Sequence, residues 1–163
     1  MGATLMARAV DELSGGPRSP TMGRRGLDLL AGVPLFAGLS RAHLRNIAKV
    51  AGIVRYAEGR VIVQRGSKGS AFYVIADGTA TVLTGASGRT KIASLGPGAF
   101  FGELALLDGR PRSASVVATA PLTAIRIERS AFITLIRKEP VIGVRVMEGL
   151  AARIRSLEPT PVD

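Results

Sequence analysis

The chain has 163 residues, 47% of them hydrophobic and 21% charged, a balance that suits one compact domain with a real core. Cysteine is absent and His43 is the lone histidine, which excludes disulfides, thiol catalysis, cysteine-ligated metals and a histidine-clustered metal centre. The formal net charge of +10 comes from arginines dispersed along the chain with only 4% aromatic residues, so no stacking platform for nucleic acid is offered.

No apolar run reaches the ~20 residues that a membrane-spanning helix needs, so a soluble, cytoplasmic protein is expected. Residues 1–22 include Ser14, Gly15, Gly16, Pro17, Arg18, Ser19 and Pro20, too poor in large apolar groups to pack, and read as a flexible leader. Arg24 and Arg25 precede an apolar run to Leu39 in the manner of a twin-arginine export signal. Asp28 and Pro34 interrupt that run, which fits the first helix of a domain instead. From Ser40 to Ala51 the spacing is helical, with Ser40 as cap, Leu39 and Leu44 as a staple, and Leu44, Ile47, Ala48 and Ala51 on one face. His43 falls in the first turn and reads as a surface residue.

Short β-rich runs follow, separated by glycines: 53–56, 60–63, 71–75, 79–83, 90–95, 113–118 and 122–128. That spacing predicts a mainly β domain, an antiparallel sandwich or jelly roll with flanking helices. In the last run Thr123, Ile125 and Ile127 alternate with Ala124, Arg126 and Glu128, which predicts one wet face. A helix is expected from a cap at Ser130 until Pro140 interrupts it. The final stretch puts Val146, Leu150, Ile154 and Leu157 on one stripe that needs an apolar partner. The domain therefore spans 23–157, and 158–163 is a tail.

The run from Phe100 to Ala114 carries the chemistry. Gly102 permits positive φ and a close approach to its backbone. Glu103 opens a short apolar helix whose first amides, those of Leu104 and Ala105, have no partner inside it and suit an anion. Nine positions after Glu103, Arg112 supplies a permanently charged fork for phosphate oxygens and Ser113 another donor. An ionised Glu103 only accepts hydrogen bonds, so its natural partner is a sugar hydroxyl beside the phosphate. Singly these are ordinary surface features; together, at this spacing, they make a grip for one phosphate and one sugar.

Phe101 to Leu106 followed by Pro111 to Ala114 resembles, without a gap, the phosphate-binding cassette of cyclic nucleotide-binding domains, the module of cAMP receptor proteins, protein kinase regulatory subunits and cyclic nucleotide-gated channels. The likeness extends from about Val33 to Leu157. It implies a ligand-binding site at Gly102, Glu103, Leu104, Ala105, Arg112, Ser113 and Ala114: Glu103 on the ribose 2′-hydroxyl, Arg112 and the helix-start amides on the cyclic phosphate, Ser113 adding a hydrogen bond. The ligand implied is cAMP or cGMP, with no other cofactor. The terminal helix is implied to close over the purine as a lid or to pair with its copy in a homodimer. Arg153 is the candidate lid residue, with a solvent-facing arginine as its plain reading. In the loop from Gly66 to Ser70 the chain departs from the acidic residues usual in the family, and the resemblance implies that this loop lies away from the phosphate.

Only six residues follow Leu157, so the sequence leads us to expect a non-enzymatic sensor whose output is a protein effector in trans or a change of assembly, with neither nucleic acid nor membrane as partner. The alternative is a barrel that has lost its ligand and serves as a protein-interaction module.

Overall fold

The computed structural model describes residues 23–68 and 70–157; the leader at 1–22, the tail at 158–163 and the side chains of Leu104, Ala105 and Arg153 lie outside the described residues. Helix α1 (Arg24–Ala31), a 3-10 turn (Pro34–Phe36) and α2 (Arg41–Val50) lead into strands β1 (Gly52–Tyr56), β2 (Val61–Val63), β3 (Ala71–Asp77), β4 (Ala80–Thr84), β5 (Thr90–Leu95) and β6 (Phe100–Phe101). Helix α3 (Glu103–Asp108), β7 (Ser115–Ala118), β8 (Leu122–Glu128), α4 (Arg129–Lys138) and α5 (Pro140–Leu157) complete the described chain. The strands form two antiparallel four-stranded sheets, ordered β1-β8-β3-β6 and β2-β7-β4-β5. This is the expected mainly β architecture with flanking helices.

The first sheet is a middle layer, and its alternation feeds two cores. On one face of β3 and β8, Phe72, Val74, Ala76, Ile125 and Ile127 pack against the helices through Phe36, Ile47 and Phe132. On the other face Ala71, Tyr73, Ile75, Leu122 and Ala124 pack towards Val63, Val116 and Ala118 of the second sheet. Leu122, Thr123, Ala124 and Ile125 are all fully buried, so the wet face expected for this strand is corrected: only Arg126 and Glu128, half-buried and ion-paired with each other, keep a polar character. A strand covered on both sides loses the polar alternation on which that expectation rested.

Other boundaries shift as well, and β7 starts at Ser115, which leaves Ser113 and Ala114 in a bend before it. Strand β8 runs straight into α4, whose N-cap is Glu128 in extended conformation; Ser130 is therefore the second residue of the helix and not its cap, and its carbonyl accepts from Thr134 Oγ1 at 2.9 Å. Strand β6, two residues long, gives no periodic signal in the sequence. The cap at Ser40 does form: Ser40 Oγ accepts from the His43 amide at 3.2 Å, and His43 Nδ1 accepts from the Ser40 amide at 3.4 Å. The solitary histidine thus closes a reciprocal capping box. Arg25 donates from Nη2 to the Ala76 carbonyl at 2.6 Å, tying α1 to β3.

The stripe expected along the last helix is only half right. Ile142 and Val146 are buried and Leu150 packs beside them, whereas Ile154 and Leu157 are 52% and 77% exposed. The helix docks instead through glycines. A Cβ on Gly149 would lie 2.8 Å from the Leu35 carbonyl oxygen, and one on Gly143 would lie 2.8 Å from Ile136 Cγ2. That docking seats α5 on the 3-10 turn and on α4, and its elbow at Glu139 is held by Asn46 Nδ2, which donates to both carboxylate oxygens at 2.8 and 2.9 Å.

Candidate functional site

The site is built around a turn. Strand β6 pairs with β3, Phe101 opposite Tyr73, and the Phe101 and Tyr73 rings stack with centroids 4.9 Å apart. Gly102 follows at φ +84°, redirecting the chain into α3, whose Leu106 is fully buried in the helix-side core. After α3 a second turn forms at Gly109, φ +67°, where the Arg110 amide donates to Asp108 Oδ1 at 2.9 Å, and Pro111 then presents Arg112.

Arg112 is 8% exposed. Its Nη2 donates to the Ala71 carbonyl, while Nε and Nη1 are buried and find no partner among the described residues. Burial pulls its pKa below the ordinary arginine value, an effect that the Coulombic influence of Tyr73 and Glu128 opposes. A buried cation with unmatched donors is costly, and an anion against it would recover that cost. The glycine before α3 makes room for it: a Cβ at Gly102 would collide with Arg112 Nη1 and lie 2.7 Å from the Ala71 oxygen.

Against the guanidinium opens a cavity of about 500 Å³. Gly102, Glu103, Arg112, Ser113 and Ala114 all line it, so the structure gathers these five expected residues into one space. Leu104 and Ala105 form the first turn of α3 after Glu103; their side chains and that of Arg153 lie outside the described residues. No described residue of α5 lines the cavity. Phe100, Asp108 and Arg110, members of the run to which no role was assigned, also line it, as do Val63, Val82 and Val116, which lie outside the run. The valines form a row, Val116 lying opposite both Val63 and Val82 in the sheet register. Each is one apolar residue inside a short strand, and which strands are neighbours is not written locally.

The loop that starts at Gly66 pairs with the backbone of Arg112: the Gly66 amide donates to the Arg112 carbonyl at 2.8 Å, and the Arg112 amide donates to the Ser67 carbonyl at 3.0 Å, while none of the loop's described residues lines the cavity. The Arg112 guanidinium takes the Ala71 backbone carbonyl as its partner. Behind it lies a second cleft of about 440 Å³ with Gln64, Ser67, Ser70, Tyr73 and Arg126. Among the described residues no group of three or more histidine, cysteine, aspartate or glutamate side chains is placed to hold a metal, and no helix is long and apolar enough to cross a membrane.

A family model described as cyclic nucleotide-binding domain matches residues 53–139. The chain is 36% identical over 117 residues to a cAMP-dependent protein kinase regulatory subunit of Colletotrichum orbiculare, covering 72% of this chain and 29% of that protein. It is 33% identical over 132 residues to a cyclic AMP receptor protein of Thermus thermophilus, covering 79% of this chain and 61% of that one. The chain therefore spans less than two thirds of the length of these relatives. Among solved structures, the N-terminal domain of a transcriptional regulator from Streptomyces coelicolor A3(2) superposes with a TM-score of 0.76 at 25% identity, covering 83% of this chain and 99% of that domain. With its two-sheet roll, its cassette turn and a matching family model over more than half its length, the chain belongs to the cyclic nucleotide-binding domain family.

Proposed function

We propose that this protein is a non-enzymatic sensor that binds cAMP, with cGMP as the competing purine ligand, in the cavity beside Arg112. The observation that carries the reading is the buried guanidinium with two unmatched nitrogens on a cavity that also holds Glu103. In this reading the cyclic phosphate accepts from Arg112, from Ser113 and from the amides of Leu104 and Ala105, and the ribose 2′-hydroxyl donates to Glu103. Gly102 and Ala114 keep the walls thin. The base lies against Val63, Val82 and Val116. Both relatives named above carry cAMP in their names, which favours the adenine nucleotide.

The output is assigned to α5, through a protein effector or a second copy of the chain, with Arg153 as the residue that meets the base when this helix closes. A ligand shifts such a helix only by its differential affinity for the two arrangements. The test is a thermal-shift panel of cAMP, cGMP, a cyclic dinucleotide and linear AMP. At about a hundredfold excess over Kd, ligand adds roughly 2.7 kcal/mol, so cAMP should raise the Tm by several degrees while AMP does little. No shift with either cyclic mononucleotide would favour the ligand-free interaction module.

A further inference from the structure

Arg129 is oddly placed. It is the first residue of α4, where a cation opposes its own helix dipole, and that helix has no acidic residue in its first turn. Its guanidinium serves a different helix. Nη2 donates to the Leu107 carbonyl at 3.5 Å, at the carboxyl end of α3, where a cation is favourable and carbonyls lack partners. Its stem runs beneath the Gly109 turn, where a Cβ would lie 3.5 Å from Arg129 Nε and 3.6 Å from Cδ. Nε is itself buried and unmatched among the described residues. The Arg129 amide, in turn, donates to the Ser70 carbonyl at 2.9 Å, next to Ala71, whose carbonyl holds Arg112. One residue thus touches both halves of the grip, the helix that carries Glu103 and the backbone that seats Arg112.

We propose that Arg129 is a positioning residue that never meets the nucleotide but fixes α3, and with it Glu103, in register with Arg112. This assignment rests on the cyclic-nucleotide reading of the cavity. It is tested by calorimetric titration of cAMP into the full chain and its variants. Arg129→Met keeps the stem beneath Gly109 and removes donors and charge; Arg129→Lys keeps the charge and a donor for Leu107. Expected are a weakening of about tenfold for Arg129→Met, an affinity within about threefold of wild type for Arg129→Lys, and a markedly smaller Arg129→Met penalty in a Glu103→Ala background. General loss of stability would not produce that last coupling. In the ligand-free protein, hydrogen exchange at residues 103–109 should quicken in Arg129→Met while β3 and β8 keep their protection. Wild-type affinity in Arg129→Met, an undiminished penalty in the Glu103→Ala background, or unchanged exchange over 103–109 would overturn the proposal. If wild type itself takes up no cyclic nucleotide, the cavity reading fails, and the exchange comparison alone decides whether Arg129 braces α3.

Discussion

At Gly102 two demands meet that only glycine satisfies together: a φ of +84° and empty space where Arg112 Nη1 and the Ala71 oxygen crowd the Cβ position. The sequence predicts positive φ and a close approach at this glycine; the structure fills the space with the Arg112 guanidinium and the Ala71 carbonyl. Gly102→Ala should therefore destabilise the fold by about 1–3 kcal/mol through backbone strain and weaken cAMP binding more than that loss implies, because it displaces Arg112. Chemical denaturation beside calorimetry checks both. The grip was legible because its residues lie within thirteen positions of one another, from 102 to 114, where turn and helix-start chemistry is local. The groups that hold Arg112 were not: Ala71 is 41 residues distant, and the contribution of residues 66 and 67 is backbone, invisible in side-chain identity.

Among the elements, the strands were readable from β-branched runs and glycine turns, while pairing was not. Covering the β1-β8-β3-β6 sheet on both faces erased the alternation that distinguishes inside from outside, so β8 was misjudged. Where β1 ends, Tyr56 packs towards the inter-sheet core with its ring centroid 6.5 Å from that of Tyr73. Burial, and then its hydrogen bond with Tyr73, push the Tyr56 pKa from 10.0 up to about 12. A folded-state pKa above the unfolded value means that the unfolded chain loses its proton first as pH rises. The stabilising contribution is therefore complete below pH 10 and is lost between about pH 10 and 12. Urea midpoints measured across that window should fall in wild type, and more shallowly in Tyr56→Phe.

For the whole molecule, the docking of α5 leaves Val141, Val144, Met147, Ile154 and Leu157 on its outer side, each at least 46% exposed. The sequence showed one amphipathic stripe; the structure splits it, because the glycines at 143 and 149 select which side faces the body. Large exposed apolar residues in a row mark a contact surface, which fits an output through assembly. Light scattering on wild type with and without cAMP should show a ligand-dependent change in mass, and Met147→Glu with Leu157→Glu should abolish it. A mass that does not respond to cAMP would move the output to a protein effector. The charge of +10 adds a further whole-molecule effect, drawing an anionic nucleotide faster at low ionic strength.

On the proposed reading, the buried Arg112 fork with its two unmatched nitrogens receives the cyclic phosphate. Isothermal titration of cAMP into wild type and Arg112→Lys addresses it most directly, since lysine keeps the charge and loses the planar fork. One saturable site in wild type, weakened at least about tenfold in Arg112→Lys, is the expected result, as charge-assisted hydrogen bonds contribute about 1.5–3 kcal/mol each. Equal affinity in the two proteins, or no binding heat in wild type, would contradict the account.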